Sequence, residues 1–222
     1  VLAARALASL DPMALLSHLE LLTDESPAVH RQMLLELARA PRDRNVDEFI
    51  VRLALRYDGA DRFYREAIGI AARGHEDELW QDIVAETGPA WDARLAGLAI
   101  ELHPARVYVP ARDAALNETL SLELRQRALD ALDAIGTPEA GAEIAAQVSE
   151  QKTPELRAYA LGLLARDGGD VWRAAVNASG IDAYLRTQLA DAATHPAAMA
   201  FIGEARRAAF VPELLREALD AT

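Results

Sequence analysis

The feature that most constrains this chain is a helical sequence pattern that returns about every 28–34 residues. Residues 26–37 (SPAVHRQMLLEL) align with residues 60–71 (ADRFYREAIGIA) at an offset of 34, with the apolar positions and one arginine in register. Residues 123–132 (ELRQRALDAL) align with residues 155–164 (ELRAYALGLL) at an offset of 32. Two further copies lie at residues 91–100 and 184–193. Such recurrence of one helix type is typical of stacked helical repeats.

Each copy is followed by a second helical stretch that brings the chain back. The sequence predicts these second helices at residues 45–57, 75–86, 105–117, 138–149, 171–178 and 197–208. A single pair of about thirty residues buries too little apolar surface to offset the entropy of ordering it, so the pairs must stack on one another. We therefore predict about fourteen helices in six to seven pairs, with residues 1–222 forming one repeat domain.

Helix boundaries are marked by recurring capping residues. Ser26-Pro27, Thr137-Pro138 and Thr153-Pro154 each offer a side-chain acceptor followed by a proline at the first helical position. Asp11-Pro12 has the same form. Glycines that favour the left-handed conformation past a helix end stand at Gly59, Gly74, Gly88, Gly136, Gly168 and Gly180.

Small residues recur inside the predicted helices, where two helices can approach closely. Gly69, Gly97, Gly162, Ala128 and Ala160 all fall at such positions. We expect a large residue in place of Ala128 or Ala160 to overpack the helix contact and to cost about 1–3 kcal/mol.

The composition agrees with an all-α chain. Hydrophobic residues make up 51% of the sequence but aromatic residues only 5%, so the apolar content is mainly alanine and leucine, which favour helices. Twelve glycines and ten prolines are too few for the frequent turns of a sandwich or a barrel. The chain has no cysteine, which excludes disulfides, thiolate metal sites and cysteine nucleophiles.

Charge argues against nucleic acid as a partner. The chain carries 35 acidic and 23 basic residues, a formal net charge of −12, which repels a phosphate backbone. Charged residues also interrupt every apolar stretch within a few positions, so we expect no membrane insertion.

The repeated helices resemble HEAT and armadillo-type repeats. In that family a first helix of the form P-x-V-R-x-x-A-x-x-A-L precedes a second of the form x-V-P-x-L-x-x-A-L, and residues 210–219 (FVPELLREAL) are similar to the second form. The resemblance implies an all-α fold, a right-handed α-α superhelix or HEAT-like solenoid. It also implies a non-catalytic scaffold without cofactors that binds a protein partner or spaces flanking domains of the same chain.

A narrower segment, residues 57–70 (YDGADRFYREAIGI), resembles the HEAT-repeat part of planctomycete-type secreted proteins that join a sugar-dehydrogenase-like propeller to a haem-binding cytochrome domain. This resemblance implies the alternative that the chain is the repeat segment of a sugar-oxidising redox protein. The location would then be periplasmic or secreted, and otherwise cytoplasmic. The Cys-x-x-Cys-His of such a cytochrome is absent from this sequence, so no residue here is assigned to haem.

One arginine recurs at the same place in the copies of the first helix. We interpret this set as a structural ladder that bonds carboxylates or carbonyls of the neighbouring repeat. Its members are Arg31, Arg65, Arg125, Arg157 and Arg186.

No motif predicts catalysis. The sequence contains no nucleophile elbow, phosphate-binding glycine loop or dinucleotide fingerprint. Residues 75–78 (HEDE) are the one dense set of metal-ligand types, and we interpret them as helix capping because acidic groups favour a helix N-terminus. A HEAT-like DNA glycosylase or lyase is a further alternative, although its groove is basic. Among the aromatic residues, Trp80 on a second helix is our candidate for a concave binding face.

Both ends of the sequence look like uncapped repeats. Residues 1–10 (VLAARALASL) and residues 211–222 have the pattern of amphipathic helices whose apolar faces require a neighbour. We therefore expect the chain to be a fragment of a longer protein or to have partners at its ends.

Overall fold

The computed structural model describes residues 26–167, 172, 180–191, 194–204 and 206–220. Over these residues the protein is all-helical, with twelve α-helices, two short 3₁₀ helices and no strand, which confirms the predicted all-α class. The α-helices are α1 (Pro27–Leu37), α2 (Arg44–Ala54), α3 (Arg62–Ala72), α4 (Glu76–Thr87), α5 (Ala93–Leu102), α6 (Tyr108–Leu116), α7 (Leu122–Ile135), α8 (Pro138–Glu150), α9 (Pro154–Asp167), α10 (Ile181–Leu189), α11 (His195–Glu204) and α12 (Val211–Asp220). The predicted helices at residues 1–10 and, apart from Trp172, at residues 171–178 lie outside the described residues.

Aspartates start three of the helices. The side chains of Asp43, Asp61 and Asp92 precede α2, α3 and α5, and each accepts a hydrogen bond from a backbone N–H in the first turn. The predicted Thr137 cap is confirmed, because its hydroxyl accepts from the N–H of Ala140 at 3.3 Å. These caps satisfy amide groups that have no partner within the helix.

Loss of one of these caps has a measurable expected cost. Asp92→Ala removes the bond from the Leu95 N–H, which is 2.7 Å long, and should lower the free energy of unfolding by about 1 kcal/mol. Urea denaturation followed by circular dichroism measures the change. The matched control is Asp82→Ala, an exposed aspartate inside α4, for which we expect a change within about 0.5 kcal/mol. Equal effects of the two substitutions would rule out capping as the cause.

Five of the glycines predicted to end helices, Gly59, Gly74, Gly88, Gly136 and Gly180, have positive φ. Gly88 is the C-cap of α4, whereas Gly180 is the N-cap at the start of α10. Gly136 is the left-handed C-cap of α7, with φ +67°. At Gly59 a side chain is also excluded by contact, since a Cβ atom there would lie 2.9 Å from the backbone nitrogen of Arg94. The predicted stop at Gly168 lies outside the described residues.

The chain folds as two compact units, Val1–Ala114 and Ala115–Thr222. In the first unit, α1 packs against α3 and α3 packs against α5, while α2 packs against α4. In this unit, first helices therefore contact first helices, and second helices contact second helices. The buried core between them is formed by residues that include Met33, Leu34, Ile50, Leu53, Ile68, Leu79, Trp80, Ile83 and Leu98.

In the second unit, the described helices show this alternation only between α7 and α9. Here α7 packs against α9, and α9 packs against α11, while α8 packs against α10. The sequence predicts α10 as a copy of the first helix, yet it packs on the second helix α8, and α11 packs beside α9. This is also the shortest aligned interval, 29 residues. Similarity of a helix to earlier copies therefore does not determine which neighbour it packs against.

Candidate functional site

The first unit carries two grooves between neighbouring helices. The first, which we name the apolar groove, lies between α1 and α3 and has a volume of about 410 Å³. On each helix its lining residues are spaced i, i+3, i+4 and i+7, so each helix contributes one continuous face about two turns long. The lining residues are Ala28, Arg31, Gln32 and Leu35 of α1, and Phe63, Glu66, Ala67 and Ile70 of α3.

The apolar groove exposes large hydrophobic side chains beside paired charges. Phe63 is 66% exposed and Ile70 is 45% exposed. The guanidinium of Arg31 lies 5.8 Å from the centroid of the Phe63 ring and 3.7 Å from a carboxylate oxygen of Asp61. Adjacent exposed apolar groups of this size are characteristic of contact surfaces.

The second groove, which we name the charged groove, lies between α2 and α4 and has a volume of about 430 Å³. Its lining combines three small or aliphatic side chains with five charged side chains of both signs. The lining residues are Arg44, Glu48, Val51 and Arg52 of α2, Leu55 at its C-cap, and Asp82, Ala85 and Glu86 of α4.

Several charges of the charged groove have no ion-pair partner among the described residues. Arg44 pairs with Glu48 at 3.2 Å, but Arg52, Asp82 and Glu86 make no ion pair or side-chain hydrogen bond with the described part of the chain. Asp82 and Glu86 are one turn apart, and the last turn of α4 contains no basic residue. Like charges at this spacing, near the negative end of the helix dipole, disfavour the helix, so a cation supplied from outside would stabilise it.

The first three ladder arginines all bond to groups outside their own helix. Arg31 reaches Asp61, the N-cap of α3, and Arg65 donates to Glu101 of α5 at 3.2 Å. Arg125 is only 5% exposed and donates three hydrogen bonds. Its acceptors are the backbone oxygen of Ala115 at 3.0 Å, the side-chain oxygen of Gln151 at 2.9 Å and the hydroxyl of Thr153 at 3.1 Å.

The last two ladder arginines add aromatic contacts that sequence reasoning missed. Arg157 donates to the backbone oxygen of Gln151 at 3.1 Å, and its guanidinium lies 5.3 Å from the Tyr184 ring centroid. Arg186 pairs with Glu213 at 3.4 Å and lies 4.9 Å from the Phe210 ring centroid. With Arg31 over Phe63, three ladder arginines stack on a ring that follows them by 24 to 32 residues. The variable spacing hides this pairing in the sequence.

Trp80 lies in the core of the first unit. Its side chain is 4% exposed, so it presents little surface to a partner. The exposed groove residues of the same helix are Asp82, Ala85 and Glu86. The alternation of buried and exposed positions along α4 separates them from Trp80, since residues two positions apart on a helix lie on different faces.

Residues 75–78 stand at the start of α4, where His75 is the N-cap residue without a side-chain cap bond and Glu76 makes a bond to the preceding loop. A carboxylate oxygen of Glu76 accepts from the N–H of Gly74 at 2.9 Å. Partial burial by itself raises the pKa of Glu76, but this bond, a bond to its own backbone N–H and the nearby His103 and His75 outweigh burial and lower the pKa. Over the described residues, no three histidine, aspartate or glutamate side chains converge as a metal site. None of the described helices has both the length and the apolar character needed to cross a bilayer.

Comparison of the chain with known protein families, curated proteins and solved structures found no match.

Proposed function

We propose that the chain is a non-catalytic helical-repeat scaffold, a stretch of HEAT-like, right-handed α-α superhelix that binds a protein partner or spaces flanking domains. The observation that carries the proposal is the packing pattern of the first unit, where α1 packs against α3, α3 against α5 and α2 against α4. Stacked helix pairs produce this pattern, and they build extended surfaces for binding.

The architecture can be tested by small-angle X-ray scattering. A compact single domain of 222 residues has an expected radius of gyration of about 17 Å. An open superhelix is longer, so we expect a clearly larger value, with an asymmetric distance distribution. A radius at the compact value would overturn the superhelix.

Within this scaffold, we assign partner binding to the charged groove. Its support is chemical, since Arg52, Asp82 and Glu86 carry charges that the described chain leaves unpaired. Charges at a protein–protein contact raise the association rate and favour one partner over others. They add less to the binding affinity. The net charge of −12 favours a partner with basic groups opposite Asp82 and Glu86.

Affinity capture from the native lysate, read by quantitative mass spectrometry, tests this assignment. The bait is the whole chain, compared with Asp82→Lys/Glu86→Lys. A charge-matched control is Glu139→Lys/Glu155→Lys, which reverses two exposed acidic residues of the second unit. We expect at least one protein that the wild type and the control retain and the groove variant loses about tenfold, equivalent to about 1.4 kcal/mol. Equal retention by all three baits would contradict the charged groove as the binding site.

A further inference from the structure

Two surfaces of the described residues expose large apolar side chains. One is the apolar groove, with Phe63 and Ile70 exposed. The other is a stripe on α12, formed by Val211, Leu215 and Leu219, whose exposed fractions are 48%, 59% and 74%. We name it the α12 stripe. Because its members are four residues apart, they lie along one face of the helix.

The shape of the apolar groove selects a helix as its occupant. Phe63, Glu66, Ala67 and Ile70 stand at i, i+3, i+4 and i+7, the four positions that surround a hole on a helix surface, and the lining residues of α1 form a second such set. An aliphatic side chain from a third helix fills a hole of this kind. The small Ala67, 3% exposed, forms its floor.

The α12 stripe matches this groove in length. Phe63 and Ile70 are seven residues apart, about 10.5 Å along α3, and Val211 and Leu219 are eight residues apart, about 12 Å along α12. Leu215 lies between Val211 and Leu219 in the stripe, and Ala67 lies between Phe63 and Ile70 in the groove. One side chain at the centre of the stripe can therefore enter the hole while its neighbours cover Phe63 and Ile70.

Charges beside the two surfaces are also complementary. Arg216, next to Leu215, is exposed and makes no ion pair with the described residues. Glu66 lines the groove and pairs with Arg62 at 2.7 Å, yet its side chain remains 39% exposed. An arginine on the incoming helix therefore meets a carboxylate that is still accessible beside its own partner.

We propose that the α12 stripe of one copy of this chain docks in the apolar groove of a second copy. The two surfaces differ, so the contact is head-to-tail and each copy keeps one free groove and one free stripe. Self-association of this kind is independent of the partner proposed for the charged groove. The contact is one helix wide, below the size of a stable interface, so assembly is weak and depends on concentration.

Sedimentation velocity on the whole chain tests the proposal. Across about a hundredfold range of protein concentration, we expect the weight-average sedimentation coefficient of the wild type to rise. The variants Phe63→Asp and Leu215→Asp should each remain monomeric, because each loses one of the two surfaces. Both positions are exposed, so neither substitution places a charge in the core. Val109→Asp, at another exposed apolar residue, is the control and should associate like the wild type.

Mixing the two variants distinguishes head-to-tail docking from other self-association. Phe63→Asp keeps an intact stripe and Leu215→Asp keeps an intact groove, so an equimolar mixture should form heterodimers and nothing larger. Ile70→Asp should replace Phe63→Asp in this mixture with the same result. A wild type that stays monomeric throughout, or variants that do not complement each other, would overturn the proposal and leave partner binding at the charged groove unaffected.

Discussion

Replacing Arg125 with methionine is expected to lower the free energy of unfolding by about 2–4 kcal/mol. The guanidinium is 5% exposed and bonds three oxygen atoms, those of Ala115, Gln151 and Thr153. These acceptors lie near the end of α6 and in the connection between α8 and α9, so one side chain on α7 joins three parts of the second unit. Methionine preserves most of the volume but removes all three bonds, including the buried one to the backbone oxygen of Ala115.

Chemical denaturation with urea measures this loss, and a nearby arginine provides the control. Arg127, two residues further along α7, pairs with Glu123 at the surface, and Arg127→Met should cost less than about 1 kcal/mol. Arg125→Lys should be destabilising as well, because an ammonium cannot present donors to three acceptors in the fixed fork of a guanidinium. If Arg125→Met and Arg127→Met had equal effects, the buried bonds would not be the cause.

A double-mutant cycle keeps this prediction testable when Arg125→Met is too unstable to measure. Gln151→Ala removes one acceptor and should be milder than Arg125→Met. Combined with Arg125→Lys, it should show a coupling energy of at least about 0.5 kcal/mol, since the two residues are in direct contact. Strict additivity would mean that the bond at 2.9 Å contributes little.

Gly141→Ala is expected to destabilise the protein by about 1–3 kcal/mol, although alanine is the better helix former. Gly141 lies in α8 against Trp172, and a Cβ atom there would lie 2.5 Å from Cδ1 and 2.8 Å from Cδ2 of the indole. Trp172 is 3% exposed, and its Nε1 donates to the backbone oxygen of Thr137 at 3.0 Å. To relieve the clash, the ring must move and weaken this bond.

Gly162 provides the matched control because it also lies inside a helix, α9, and a Cβ atom there would meet nothing within 4 Å. Gly162→Ala should therefore stabilise the protein by about 0.5–1 kcal/mol through helix propensity alone. Thermal denaturation of both variants should show melting temperatures shifted in opposite directions. Stabilisation by both substitutions would show that the indole does not restrict Gly141.

Small residues show where prediction from sequence stops. Ala128 and Ala160, expected at close helix contacts, are fully buried. Gly97 is also closely packed, since a Cβ atom there would lie 2.9 Å from the hydroxyl oxygen of Tyr57. Gly162 was expected in the same role, yet it is exposed. A small residue in a helical pattern looks the same in the sequence whether it faces a neighbouring helix or solvent.

The amphipathic period, the aspartate and threonine caps and the glycine stops determined the helices and their boundaries, because these signals act within one turn of the residue that carries them. Only the tertiary structure decided which helix α10 packs against, which oxygen atoms Arg125 reaches, which rings the ladder arginines stack on and which groove charges stay unpaired. Those contacts join residues far apart in the sequence, and their geometry depends on how whole helices pack. No local pattern in the sequence encodes that arrangement.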